Sequence, residues 1–171
     1  MTYQEAFQKY LDIDPFTADT DELLKLCNKL QISLYDGAKT RDNLLNLLIE
    51  SAIEPNFNSD KITAFYNYPP HEAALAKIEK DSNGSLVAKR FEIYYKGLEL
   101  ANGYKELTDY QEQEKRLIQA QEKRASLDKV SYPIDKDFIE ALKKGLPECC
   151  GVAVGFDRLM LLTKEAALIN N

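Results

Sequence analysis

The run Arg90–Glu106, RFEIYYKGLELANGYKE, constrains the fold of this chain more than any other stretch. Two apolar segments are split by Lys96-Gly97, a two-residue turn in which glycine supplies the dihedrals a tight hairpin demands, so the run reads as a β-hairpin. The spacing pairs Tyr95 with Leu98, Tyr94 with Glu99, Ile93 with Leu100 and Glu92 with Ala101, and opposed residues share a face. One face then carries Glu92, Tyr94 and Glu99; the other carries Ile93, Tyr95, Leu98 and Leu100. Two carboxylates on one face repel unless a cation lies between them, and a divalent metal with phosphate oxygens, or a substrate amine, would meet that need. The plainer reading is a solvated face, as antiparallel sheets often have. Glu99, Asn102 and Glu106 also fall at i, i+3 and i+7, a helical spacing. The glycines at 97 and 103 and the aromatic residues before them favour a strand that bends or bulges at Gly103 and brings Glu106 back toward Glu99.

Length and composition bound the rest. A chain of 171 residues with 44% hydrophobic and 29% charged residues suits one globular domain with a real core. A net charge of −6 argues against nonspecific nucleic-acid binding through the bulk surface while leaving room for a local basic groove. No apolar run approaches a membrane span, and the N-terminus has no signal-peptide pattern, so no membrane partner is expected. Cys27, Cys149 and Cys150 lack metal-type spacing, and adjacent cysteines rarely bridge. Reduced thiols in a cytoplasmic protein are the expectation. The lone His71 argues against a histidine metal site or a histidine-based catalytic dyad.

Along the chain, residues 1 to about 54 read as helical. Tyr3, Phe7, Tyr10 and Leu11 repeat at helical spacing before Asp14-Pro15. A second helix runs from Asp19 or Asp21 through Leu30, with Asp19 or Thr20 as cap and Leu23, Leu24, Leu26, Cys27 and Leu30 as its stripe. A third starts at Thr40 and carries Leu44, Leu45, Leu47, Leu48 and Ile49, a core face that ends at Glu54-Pro55-Asn56. From Ile62 the pattern alternates as a strand up to Pro69-Pro70. Residues 71–79 read as a short helical or irregular connection, 81–85 as a hairpin tip, and Leu86–Tyr95 as a long strand. Residues 109–127 form a charged, solvated helix, and Asp135 caps another with Phe138, Ile139, Leu142 and Leu146 on its apolar side.

The last motif is CCGVAVGFDRLMLL. Cys149–Val154 reads as a strand with Gly151, Ala153 and Gly155 on one face, a flat patch against which a planar ligand could lie. A helix follows at Phe156, with Leu159, Met160, Leu161 and Leu162 on its buried sides. Arg158 falls in its first turn, where backbone N–H groups favour an anion. The alternative is close strand–helix packing with Asp157 and Arg158 in a structural ion pair. The spacing is not GxGxxG, which excludes a Rossmann reading.

Together, GLELANGYKEL and, some forty residues on, GVAVGFDRLMLL resemble the C-terminal part of class II aminoacyl-tRNA synthetase catalytic domains, the second run matching their motif 3. The first run looks like the lysyl-tRNA synthetase branch, and most like its short paralogue, the elongation factor P β-lysine ligases. The likeness extends from TYQEAFQKYLDIDP through RDNLLNLL and EPNF to the end. It implies an α+β fold in which part of the class II antiparallel sheet is flanked by helices. Residues 1–58 would be a helical insertion and 59–171 the C-terminal part of the catalytic domain. It also implies ATP and Mg2+, with Glu92 and Glu99 contacting ATP through bound magnesium and Leu100 beside the nucleotide. Asn102, Glu106 and Ala153 would hold the amino acid, Glu106 taking its side-chain amine. Gly155 would line the adenosine site, and Arg158 would stack on adenine and reach the terminal phosphate. The reaction would be carboxylate attack on the ATP α-phosphate, giving an aminoacyl adenylate and pyrophosphate, a chemistry that relies on positioned cations.

The departures shape a further expectation. Neither motif 1, the dimer element, nor motif 2, which supplies the α-phosphate arginine, is found; Arg90-Phe91-Glu92 resembles the motif 2 tripeptide but stands in the strand before the substrate loop. The chain is then expected to be the C-terminal half of a longer, homodimeric protein, inactive alone, with an unpaired sheet edge that invites association. Lysine or β-lysine would be the amino acid and elongation factor P the acceptor. The alternatives are a lysyl-tRNA synthetase fragment charging tRNA and a noncatalytic interaction module.

Overall fold

The computed structural model describes residues 1–35 and 37–169. Its first third is helical, and each start follows from a local cap. The Thr2 hydroxyl accepts from the Glu5 N–H (3.1 Å) while Glu5 Oε2 accepts from the Thr2 N–H (2.7 Å), opening α1 (Tyr3–Leu11) with a capping box. Asp19 caps α2 (Thr20–Lys29) and Thr40 caps α3 (Arg41–Leu48). The chain continues into a π-helical turn, Ile49–Ile53, and a 3-10 turn, Glu54–Asn56. The apolar stripes converge: Tyr3, Phe7, Leu23, Cys27, Leu44, Leu48 and Ile53 are wholly buried.

Five antiparallel strands follow: β1 (Thr63–Tyr68), β2 (Ile78–Lys80), β3 (Leu86–Tyr95), β4 (Leu98–Lys105) and β5 (Cys150–Val154). The order is β1–β3–β4–β5, with β2 pairing β3 beside the end of β1. The connection expected over 71–79 is therefore partly a strand. Its start is a 3-10 turn, Pro70–Glu72, and its end joins β2, closed by a turn in which Asp81 Oδ1 accepts from the Asn83 and Ser85 N–H groups (both 2.9 Å). The helical segment packs directly on the sheet through aromatic rings. Tyr3 stacks on Phe65 at 5.6 Å between centroids and Phe57 meets Tyr94 edge-on at 5.1 Å. Such pairs add about 0.5–1.5 kcal/mol each beyond the area they bury. Helices and sheet thus form an α+β fold with one core.

Asp109 caps α4 (Tyr110–Ser126) and Asp135 caps α5 (Lys136–Lys143); Ile139 and Leu142 of α5 are buried, whereas Phe138 and Leu146 are partly open. The final helix, α6 (Phe156–Ile169), departs from expectation. Leu159, Met160 and Leu161 are not on buried sides but 38%, 41% and 51% exposed. β5 is the last strand on its side of the sheet, so among the described residues nothing lies beyond it to cover them. Among the described residues no helix is long and apolar enough to cross a membrane.

Candidate active site

The site is set by the register of the β3–β4 hairpin. Lys96 (φ 49°) and Gly97 (φ 74°) make the turn, and Tyr95 faces Leu98 and Tyr94 faces Glu99, as the spacing requires. The register then shifts: Ile93 faces Ala101, Glu92 faces Asn102 and Phe91 faces Gly103, leaving Leu100 as the extra residue of a bulge. The irregularity expected at Gly103 sits instead at Leu100, and the pairs Ile93–Leu100 and Glu92–Ala101 do not form. The difference matters because a one-residue slip turns every later side chain to the other face. Without the bulge, Asn102 would point away from Glu92. With it, Asn102 Nδ2 donates to Glu92 Oε1 at 3.2 Å.

β5 extends the row, with Asn102 opposite Ala153 and Tyr104 opposite Gly151. Glu92, Asn102 and Ala153 therefore lie in line across three strands, beside a second line of Arg90, Tyr104 and Gly151. Glu106 follows the end of β4. It does not turn back toward Glu99, because β4 continues as a strand to Lys105; its carboxylate lies against Gly151, in the space a Cβ there would take. Gly103 is equally constrained: a Cβ on it would meet the Phe91 ring and come within 2.7 Å of the Gly151 carbonyl oxygen.

The face is not solvated. Glu92 is 7% exposed and its cation is Arg90, two residues back on the same strand and face, whose Nη2 donates to Glu92 Oε1. Arg90 also donates to the Glu72 carbonyl (3.1 Å) and lies 4.5 Å from the centre of the Tyr68 ring. Burial works to lower the Arg90 pKa, but the Glu92 charge with Tyr68 carries it above its ordinary value. The Tyr94 hydroxyl donates to Glu92 Oε2 (2.6 Å) and approaches Glu54 Oε1 (2.9 Å). Burial first, and then Glu92, push the Tyr68 and Tyr94 hydroxyls well above the usual phenol range. Burial, together with Glu92, Glu50 and Glu99, raises the Glu54 carboxyl against the lowering bond from Tyr94. These groups enclose a cavity of about 260 Å³ whose walls include Glu50, Glu54, Glu72, Glu92 and Glu99. Glu50 belongs to the π-helical turn and Glu54 follows it; such turns recur at functional sites. Alternation along β3 points to Arg90. Glu50, Glu54 and Glu72 arrive from distant segments, and no local pattern announces them.

At the other end of the row, Gly155 donates its N–H to the Leu100 carbonyl (2.8 Å), which ties the start of α6 to the bulge. Arg158 lies over Gly155, its Cδ 3.3 Å from where a Cβ would stand. Its Nη1 donates to the Glu99 carbonyl (2.6 Å) and reaches Glu99 Oε2 (3.2 Å), so its ion pair is with Glu99 and not with Asp157. Leu100 is buried, Ala153 is exposed, and the Arg158 side chain is 50% exposed. The Oδ1 of Asn102 is buried without a hydrogen-bond partner. Among the described residues no group of three or more His, Cys, Asp or Glu side chains is arranged to hold a metal ion.

The hairpin, and the small-residue strand that leads into a helix with Arg158 in its first turn, are the elements formed by the two runs on which the motif likeness rests. The family model described as tRNA synthetases class II (D, K and N) matches residues 1–171, and the chain belongs to this family. Membership makes it a domain of the amino-acid-activating ligases, which generally use ATP and Mg2+.

Proposed function

We propose that this chain is the amino-acid and nucleotide half of a ligase that activates lysine or β-lysine. The substrate carboxylate attacks the ATP α-phosphate and pyrophosphate leaves; a lysine amine of elongation factor P then attacks the acyl carbon of the adenylate, AMP leaves, and the nitrogen loses a proton as the amide forms. The observation that carries this reading is the charge of the site. Five glutamates border one cavity, and Glu106, outside that cavity, adds a carboxylate where β4 ends beside Gly151. A family that serves aspartate, lysine and asparagine offers only one cationic side chain to such a surface, and an aspartate side chain would meet like charge at either place. Asn102, Ala153 and Glu106 would bound the amino acid, with Glu106 accepting its side-chain amine.

Gly155 and Leu100 would flank the adenosine, and Arg158 would stack on the base and meet the terminal phosphate. The donor set suits magnesium. Burial, and after it the neighbouring Glu92, Glu50 and Glu99, raise Glu54, and Glu99 is paired with a half-exposed arginine. Magnesium typically takes one or two carboxylates and completes its shell with phosphates and water, so Glu92 and Glu99 need no third protein ligand. When bound, the ion would neutralise phosphate charge. Residues 1–58 would act as a helical insertion that supplies Glu50 and Glu54, and 59–171 as the C-terminal part of the catalytic domain; the α-phosphate arginine would come from the remainder of that domain.

Lysine-dependent ATP–pyrophosphate exchange tests the reading. Exchange should appear with lysine or β-lysine, not with aspartate or asparagine, when the chain stands in its whole domain, and not with residues 1–171 alone. In that domain Arg158→Lys should lower exchange by roughly one to three orders of magnitude, the loss of a bidentate, stacked charge contact, at an unchanged melting temperature. Equal exchange with aspartate, or early melting with normal exchange in Arg158→Lys, overturns the respective assignment. Transfer of labelled amino acid to tRNA(Lys) in place of elongation factor P would reassign the acceptor.

A further inference from the structure

The dipeptide Asn-Gly occurs twice in the chain, at Asn83-Gly84 and Asn102-Gly103, and the fold puts the two copies in opposite surroundings. Such a pair carries a latent reaction. The backbone nitrogen that follows an asparagine can attack the side-chain Cγ, and a glycine nitrogen does so most readily because no Cβ crowds the approach. The reaction requires that the side chain swing back over its own backbone and that the following N–H leave its place.

Asn102 and Gly103 meet neither condition. Both lie in β4, paired with Glu92 and Phe91 of β3 on one side and with Ala153 and Val152 of β5 on the other. The Asn102 amide donates to Glu92, and Gly103 is buried against the Phe91 ring and the Gly151 carbonyl. Asn83 and Gly84 meet both. They are exposed, in the turn that joins β2 to β3. The turn is held through Asp81, whose carboxylate accepts from the Asn83 and Ser85 N–H groups and whose carbonyl accepts from the Gly84 N–H at 3.1 Å. The Asn83 side chain makes no hydrogen bond among the described residues. Gly84 has φ 83°, and a Cβ built on it would meet nothing within 4 Å. The one bond that attack gives up, from Gly84 to the Asp81 carbonyl, lies at the surface, where water takes its place with little net loss.

We propose that Asn83 is a site of spontaneous, backbone-assisted deamidation, and that the fold confines the reaction to this one of the two Asn-Gly pairs. The Gly84 nitrogen bonds to Asn83 Cγ and gives its proton to solvent, while the side-chain nitrogen takes a proton and departs as ammonia, leaving a five-membered succinimide. Water then opens the ring. Breaking the new N–Cγ bond leaves aspartate, and breaking the original peptide bond leaves isoaspartate, with the chain running through the side chain. The net change is one water taken up and one ammonia released, with no oxidant or cofactor. Either product adds negative charge to a cavity of about 460 Å³ that Glu5 and Asp81 already border and that, among the described residues, no cationic side chain lines.

Trypsin cuts after Lys80, Lys89, Lys96 and Lys105, so peptides 81–89 and 97–105 each report one pair. The 171-residue chain is held at pH 8, folded or in urea, and mass spectrometry follows amide-to-acid conversion against the digest made at zero time. In the folded chain 81–89 should convert roughly ten-fold or more faster than 97–105, because a residue held in a sheet reacts only after local opening. In urea the two rates should agree within about three-fold, since no opening step remains. The product of 81–89 should separate into two isomers of equal mass, one eluting with the peptide from Asn83→Asp. Asn83→Gln, whose longer side chain cannot close the five-membered ring, should not convert over the same period and should keep the wild-type urea midpoint. Equal conversion of both peptides in the folded chain overturns the proposal, as does conversion of 81–89 in urea only. A rate ratio that survives in urea assigns the difference to neighbouring residues and overturns the role of the fold. A single product matching the aspartate peptide marks direct hydrolysis of the amide and overturns the ring route.

Discussion

Replacing Arg90 with methionine tests whether the buried carboxylate of Glu92 depends on the strand's own arginine. The Arg90 and Glu92 side chains are 16% and 9% exposed, so solvent screens their pairing little. Methionine refills much of the arginine stem's volume but leaves Glu92 with neutral donors, Tyr94 and Asn102 among them. Removing one partner of a buried pair costs about 3–5 kcal/mol, because the remaining charge stays desolvated. For a chain of this length that is a fall of roughly 6–20 °C in melting temperature. Adding Glu92→Gln should restore most of the loss at pH 7, for a coupling of about 2 kcal/mol or more. Urea unfolding of the four proteins at pH 7 measures both the loss and the coupling. A loss under about 1 kcal/mol, with no coupling to Glu92→Gln, is the signature of a solvated pair and would refute the reasoning.

Three further outcomes follow from the same geometry. Gly103→Ala places a methyl against the Phe91 ring and the Gly151 carbonyl, and should cost about 1–3 kcal/mol as overpacking; a wild-type urea midpoint would show that the strands yield freely. Gly151→Ala occupies the space of the Glu106 carboxylate, so in the exchange assay the KM for lysine should rise at least ten-fold while the KM for ATP holds, and parallel changes in both would detach Glu106 from the amine. The raised Glu54 carboxyl contributes stability below its unfolded pKa that is lost as pH rises through the folded value. Glu54→Gln keeps an acceptor for Tyr94, so its melting temperature should match wild type near pH 4 and exceed it increasingly toward pH 7; a constant difference would mean that the carboxyl is not perturbed.

What could be read from the residues was what local chemistry decides. Asp19, Thr40 and Asp135 mark helix starts because an orphan N–H needs a nearby oxygen, and Lys96-Gly97 marks the hairpin because few residue pairs accept two positive φ values. The bulge at Leu100 had no such signal: leucine there fits a regular strand equally well, and the extra residue is chosen by how β3, β5 and Gly155 engage the strand from both sides. Arg90 was legible by alternation but overlooked, since the argument for a cation was framed in terms of ligands. The exposure of Leu159, Met160 and Leu161 lies beyond any periodicity, which reports that a side is apolar and not whether a neighbour covers it.

The bulge also explains why one sheet face can serve two chemically different substrates. In a regular hairpin, strict alternation would separate Glu92 and Glu99 from Asn102, and a face bearing the carboxylates could not also bear the amide. One extra residue at Leu100 changes the parity, so that Glu99 upstream and Asn102 downstream share the face of Glu92. The same residue offers its carbonyl to Gly155, fixing the start of α6 and thereby the reach of Arg158 to Glu99. The Glu99–Arg158 ion pair and the amide and carboxylate of Asn102 and Glu106 are thus set on either side of a single backbone irregularity. If that parity is what the chemistry requires, deleting Leu100 should do more than remove a buried side chain. It should return Asn102 to the opposite face and abolish lysine-dependent exchange in a protein that still folds, whereas Leu100→Ala, which keeps the residue count, should lose stability by about 2–5 kcal/mol yet retain exchange. A deletion variant with the exchange activity of Leu100→Ala would show that the register of β4 is not what assembles the site.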